Sequence, residues 1–318
     1  MFRWASGHAG GYLSRQRREW NQALKRDYEL YLLLIPVIAF FVVFSYMPMY
    51  GLQIAFKDYT PAISMEAAPW VGLKHLERFL HSFYFDRVIR NTLVMSLYNL
   101  AIMIPAPILL ALLFNEVRRK QARVTLQVVS YAPYFVSTVV LASMVVMFLT
   151  PGTGFINTIL QWLGYARDTS ILSVPSAFKH IYVWSEAWKN IGWDSIIYTA
   201  AIAGVPQELY EVARLDGASK LKQIRYVTLP CIAPTITILA IMAIGGVLNV
   251  GYEKVFLLQN TSNLEASEVI STYVYKSGLE QAQYSFASMV GLFNNVINFA
   301  ILVLANQLSH RIGETSLW

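Results

Sequence analysis

Pro206-Gln-Glu-Leu-Tyr-Glu-Val-Ala-Arg-Leu-Asp-Gly-Ala-Ser-Lys-Leu-Lys-Gln-Ile-Arg-Tyr-Val-Thr-Leu-Pro230 is a long polar run set between two long apolar ones. Pro206 suits a helix start, where its missing N–H costs no hydrogen bond, and Glu208 and Glu211 then lie near the positive end of the helix dipole. Gly217 is expected to end that helix. Ser219 can cap a second short helix in which Leu221, Ile224 and Val227 recur on one face, and Leu229-Pro230 is expected to break it. The stretch therefore predicts two short helices joined at a bend, carried between membrane helices.

Composition points the same way. The 318 residues are 56% hydrophobic and 14% charged, with a mean hydropathy of +0.44, which is the balance of a membrane protein rather than a soluble one. The net charge of +6 does not mark a nucleic-acid groove, because the basic residues concentrate in particular loops. The single cysteine, Cys231, excludes an internal disulfide and a thiolate metal cluster. It is expected to be a small buried apolar residue.

Taken in order, residues 1–29 form a basic tail with Arg3, Arg15, Arg17, Arg18, Lys25 and Arg26. The apolar run after it is long and lacks a small-residue cleavage site, so an uncleaved anchor is expected. Spans are expected at 30–56, 91–114, 124–149, 180–205, 232–258 and 285–308, each able to supply the ~20 apolar residues that cross a bilayer. Pro36 and Pro48 are placed to bend the first, and Pro105 and Pro107 interrupt the second. Residues 57–90, 150–179 and 259–284 are assigned outside, and 116–123, 206–230 and the 309–318 tail inside. Of the 25 Lys and Arg, fifteen fall in inside segments, eight in outside ones, and Lys189 and Lys254 in spans. That asymmetry puts both termini in the cytoplasm.

Glu211, Ala213, Gly217, Leu229 and Pro230 stand at the spacing of the EAA loop of ABC-importer permeases, with Val212 and Val227 as mild departures. Further likeness runs through Pro48-Met-Tyr-Gly51, Ala55-Phe-Lys-Asp-Tyr59, Trp70-Val-Gly72, Asn91-Thr-Leu93, Pro107-Ile-Leu-Leu-Ala111, Gly192-Trp193 and Gly291-Leu-Phe293. The chain resembles the LplB-like permeases of the maltose-type carbohydrate-uptake ABC importers. In Tyr131-Ala-Pro-Tyr-Phe-Val-Ser137, Ala132 and Tyr134 stand where Leu and His are expected. The resemblance implies an all-α type I importer fold of six transmembrane helices in a bacterial cell membrane. It implies an oligosaccharide, neutral or uronic, delivered by an extracellular binding protein, and a second homologous permease as heterodimer partner. Two cytoplasmic ATPase subunits would hold ATP and magnesium, since this chain has no glycine-rich phosphate loop ending in Gly-Lys-Ser/Thr and is not expected to be an enzyme. ATPase coupling is implied for Glu208, Glu211, Ala213, Asp216, Gly217, Ala218, Leu229 and Pro230.

A sugar path calls for flat aromatic faces and amide or hydroxyl rims. Trp184, Trp188, Trp193 and Tyr198 on the fourth span, Asn249 and Tyr252 on the fifth, and Asn294, Asn295 and Asn298 on the sixth supply them. The plainer reading of each is interhelical packing or interfacial anchoring. Asn249 and Tyr252, three apart, are expected on one helical face. Glu186, Lys189, Asp194, Glu253 and Lys254 are ionisable groups in or near spans, and Glu186 and Lys189 are spaced to neutralise each other. The alternative, an ion-coupled secondary transporter, would call for an intramembrane carboxylate or histidine relay, often in repeated halves. No histidine lies well inside a span and no repeat is visible. A membrane enzyme would call for a catalytic cluster that the sequence does not display.

Overall fold

The computed structural model describes residues 26–164 and 170–313. The basic tail before Arg26, Arg167 and the closing Leu317-Trp318 lie outside the described residues. The chain divides into two units at Ile54/Ala55. The first contains α1 (Tyr28–Phe41), continued by a π turn over Val42–Tyr46 and a 3-10 stretch that begins at Met47. Pro36 sits inside α1 and Pro48 in the 3-10 stretch, where each withdraws one donor from the ladder.

The second unit is helical throughout; among the described residues its one β feature is an isolated antiparallel bridge, Lys57 to Trp70. After the short α2 (Lys74–Leu80), α3 (Phe85–Met103) and α4 (Pro105–Glu116) form the second span, interrupted at Ile104 where Pro105 opens a new helix. The helix begins six residues before the expected Asn91. Backbone hydrogen bonds, not apolarity, define a helix, so polar Asp86, Arg87 and Arg90 belong to it as well.

The third expected span, 124–149, is not one rod. α5 (Lys120–Tyr131) and a 3-10 turn over Ala132–Phe135 meet α6 (Thr138–Leu149) at 96°. Pro133 sits in the turn, and Ser137 restarts the helix by accepting the Val140 N–H at 3.3 Å. After α7 (Phe155–Trp162) comes α8 (Pro175–Ala203), 29 residues long, or about 43 Å at roughly 1.5 Å per residue. α8 is the axis of the unit. α3, α4, α5 and α6 all pack on it, and its buried residues Phe178, Tyr182 and Val183 join one core cluster while Tyr198 and Ile202 join another.

Two further expectations change in the second half. After α9 (Gln207–Leu215), α10 (Lys220–Gln223) passes through a π turn over Ile224–Thr228 into α11 (Leu229–Gly245) as one 26-residue helical stretch. Leu229-Pro230 therefore does not break the helix. Pro230 stands in the first turn after the π segment, where the widened turn has already displaced the hydrogen bond that the ring would remove. At the other end α11 stops at Gly245, and a non-helical turn over 246–251 separates it from α12 (Tyr252–Leu258). Residues 232–258 are thus two helices. The segment 259–284, expected outside, contains α13 (Leu264–Ser267), α14 (Ile270–Tyr275) and a π turn, before α15 (Tyr284–Gly313). Cys231 is exposed, contrary to expectation, because Ile232 takes the inward face of α11.

Among the described residues, stretches 28–56, 85–116, 220–245 and 284–311 are long and apolar enough to cross a membrane, and the bent pair 120–149 reaches that length only when its two helices are taken together, as a broken span or a re-entrant loop. α8 has the length but carries Lys179, Glu186, Lys189 and Asp194. Such a polar helix is tolerated where protein surrounds it.

Candidate coupling site and transport path

The bend between α9 and α10 follows from its backbone chemistry. Gly217 has φ +73°, the left-handed conformation that glycine adopts without a Cβ penalty. The Gly217 N–H donates to the Arg214 carbonyl at 3.0 Å and the Ala218 N–H to the Ala213 carbonyl at 2.9 Å. These are the paired bonds of a Schellman cap. Leu215 is the last helical residue and Asp216 the C-cap. Pro206 stands at the N-cap and Glu208 in the first turn of α9, where the dipole favours it. Ser219 has the extended backbone of an N-cap but its side chain caps nothing.

Three side-chain ties brace this elbow. Tyr210 Oη and Thr228 Oγ1 share a 2.9 Å hydrogen bond, buried Gln223 donates to the Ala218 carbonyl at 2.9 Å, and Lys220 pairs with Glu116 at the end of α4 at 3.1 Å. Ile224 and Val227 pack against the core cluster of Tyr198, Ile202, Val205 and Ile232. Leu221, expected on that same face, is 75% exposed, because the π turn rotates the residues after it relative to α10. Leu209, Val212 and Leu215 are exposed as well. Spaced three apart, they put an uncovered apolar ridge on a helix that also shows Glu208, Glu211 and Arg214 to solvent.

Along the helices above, the structure brings some expected path residues together and separates others. Asn249 is not on a helical face with Tyr252: it lies in the turn after α11, while Tyr252 begins α12. Asn249 Oδ1 instead accepts from Asn294 Nδ2 at 3.1 Å and from Asn298 Nδ2 at 3.0 Å, and Asn298 Oδ1 accepts the Leu248 N–H at 3.0 Å. A backbone that leaves the helix in a membrane needs such partners. Asn295 is exposed and outside this triad. Tyr252 packs its ring on Tyr275 and Phe256. Tyr198 is buried in a hydrophobic cluster. Trp193 is stacked on Tyr134 with centroids 4.3 Å apart and meets Phe135 edge-on. Trp184 and Trp188 are half-exposed along an apolar groove between α6, α7 and α8 of about 500 Å³. Glu186 does not neutralise Lys189. It pairs with Lys254 of α12 at 2.7 Å and accepts from Asn190, while Lys189 donates to Thr138 at 3.3 Å.

Residues 103–314 match the family described as the binding-protein-dependent transport system inner membrane component. The chain belongs to that family. It is 40% identical to Protein LplB of Bacillus subtilis (strain 168), with 94% of each chain covered. It is also 40% identical to the polygalacturonan/rhamnogalacturonan transport system permease protein YteP of the same strain, over 96% of this chain and 94% of that one. A crystal structure of a bacterial ABC transporter involved in the import of the acidic polysaccharide alginate contains a chain 43% identical to this one. It superposes with a TM-score of 0.85, covering 93% of this chain and 99% of that one. A complex of such a transporter with an alginate pentasaccharide-bound periplasmic protein matches at 42% identity and a TM-score of 0.86.

This permease is accordingly a non-catalytic membrane component of a binding-protein-dependent ABC transporter. Sequence reasoning did not single out Tyr210, Gln223, Thr228 and Glu116, the braces of its elbow. Only Gln223 left a trace, as a neutral polar side chain on the inward face of an otherwise amphipathic run. Lys254 is 3% exposed and also donates to the Tyr182 carbonyl at 2.8 Å, with its ammonium 4.5 Å from the Tyr182 ring centre. Three partners on α8 compensate one buried charge. Gly192 reflects a comparable demand, since a Cβ there would overlap the Ser130 carbonyl of α5.

Proposed function

We propose that this permease is one of two homologous transmembrane subunits of an importer whose two cytoplasmic ATPase subunits hold ATP and magnesium and grip the α9–α10 elbow of this chain. In this reading both termini are cytoplasmic, and the cargo is an oligosaccharide, neutral or uronic, handed over by an extracellular binding protein. The single observation that carries it is the elbow: an apolar ridge, Leu209, Val212 and Leu215, left uncovered on a bend that is braced from behind. A braced bend transmits force, and an uncovered ridge provides the surface to grip.

ATP and loaded binding protein must then favour the outward-open state over the inward-open resting state, since a ligand shifts an equilibrium only through its differential affinity. The names of the relatives, a polygalacturonan/rhamnogalacturonan permease and an alginate importer, support a carboxylate-bearing cargo. The test is ATP hydrolysis by the copurified transporter in lipid, with binding protein loaded with neutral or uronic oligosaccharides. Stimulation by one class supports the reading. An elbow that copurifies with no ATPase, or hydrolysis indifferent to every loaded binding protein, overturns it.

A further inference from the structure

At the end of α8 opposite the elbow, α3, α8 and α13 enclose a recess of about 750 Å³. Its walls are fixed: Asn91 Nδ2 donates to the Glu265 and Glu268 carbonyls at 2.9 and 3.0 Å, tying α3 to α13. Arg87, on the wall, is already engaged, lying over the Phe83 and Tyr84 rings and 3.9 Å from Glu268. The other four charged groups around the recess are Asp86, Arg90, Lys179 and Glu265. Among the described residues none of these four side chains makes an ion pair or a hydrogen bond. Two cations and two carboxylates thus ring one concavity without neutralising each other. Phe83, 82% exposed at the rim, adds a flat aromatic face.

We propose that this recess is a binding site for a uronic-acid unit of the incoming oligosaccharide, so that the permease selects its cargo at the entrance as well as within the helices. The proposal rests on the importer reading above and adds the residues and the substrate class. Arg90 and Lys179 suit the sugar carboxylate, which accepts charge-assisted hydrogen bonds. Asp86 and Glu265 would repel a simple anion but accept from the ring hydroxyls, which a uronate offers and an inorganic anion does not. Phe83 suits the C–H face of the pyranose. The volume is ample for one or two sugar rings.

The experiment is saturation-transfer NMR of trigalacturonate, with maltotriose at equal concentration as the neutral probe, on the whole transporter in lipid nanodiscs. The expected result is a trigalacturonate signal well above that of maltotriose. It should fall about tenfold in the Arg90→Gln/Lys179→Gln double variant, as loss of a charge-assisted contact implies, and be retained in Arg90→Lys/Lys179→Arg. Equal signals from the two sugars, or a trigalacturonate signal unchanged by the glutamine substitutions, overturn the site. An acidic surface of the binding protein as the true occupant would show as the glutamine variant losing affinity for sugar-free binding protein while keeping the trigalacturonate signal. Because the signal does not depend on ATP hydrolysis, failure of the importer reading shows separately, as hydrolysis deaf to every loaded binding protein.

Discussion

The elbow at one end of the permease and the polar pins along its helices solve opposite problems. The elbow is exposed, and its defining residues are fixed by local rules: a left-handed position needs Gly217, and the Schellman cap is closed by backbone bonds between residues three and five apart. The pins are each explained by a residue far away in the chain: buried Lys254 by Glu186, and exposed Asn249 by Asn294 and Asn298. The difference teaches that damage to the first region should uncouple a folded protein, whereas damage to the second should unfold it.

Glu186→Ala gives the sharpest contrast. It strips a buried ammonium of its carboxylate and should cost about 3–5 kcal/mol, read as loss of thermal stability in detergent, whereas Glu186→Leu with Lys254→Met should recover most of that loss. If the single and double variants melt alike, the pair is not a pin. Asn249→Ala removes an acceptor shared by two amides and should cost about 0.5–1.5 kcal/mol, lowering the melting temperature. A variant that melted like the parent would mean that the turn after α11 stands without its triad.

Gly217→Val should strain the elbow by about 1–2 kcal/mol yet leave membrane insertion and global melting nearly unchanged. Sugar uptake should nevertheless collapse relative to ATP hydrolysis. Normal uptake would remove the elbow from the coupling role and erase the contrast between the two regions.

The smallest expected effect lies outside the membrane. Asp58 accepts from Lys74 at 2.6 Å, and that ammonium holds its carboxyl below the usual range. A depressed carboxyl contributes stability above its unfolded pKa and loses it as pH falls through the lower folded value. Both side chains are substantially exposed, so Lys74→Ala should cost well under ~1 kcal/mol at neutral pH. The difference between variant and parent should vanish in melting curves taken below that range. A gap that persisted in acid would assign Lys74 another partner.

How much was readable beforehand follows the same division. The elbow helices, the bend at Gly217 and the acid in the first turn of α9 were legible because they depend on residues within one or two turns of each other. The ends of the spans were not. Apolar runs predicted 232–258 as one helix, but the helix ends at Gly245, and in the turn that follows Asn249 reaches across to α15 before α12 begins at Tyr252. The 96° bend before α6 had its proline in plain view at Pro133, yet a proline alone does not say whether a helix kinks or turns. Tyr198 and Trp193 carry the same kind of side chain on one helix, and only packing put the first in a core and the second against Tyr134.

The sequence by itself determined that this is a polytopic helical membrane protein with a polar elbow between spans. Apolar length, charge asymmetry and a glycine at a left-handed turn are properties that a chain carries locally. The tertiary structure decided which polar groups meet: Lys254 with Glu186, Asn249 with the two asparagines of α15, and the four unpaired charges around the recess at the far end of α8. Partnership between groups tens of residues apart is set by how helices cross, and in a low-dielectric interior that partnership decides whether a polar residue is a pin or a site.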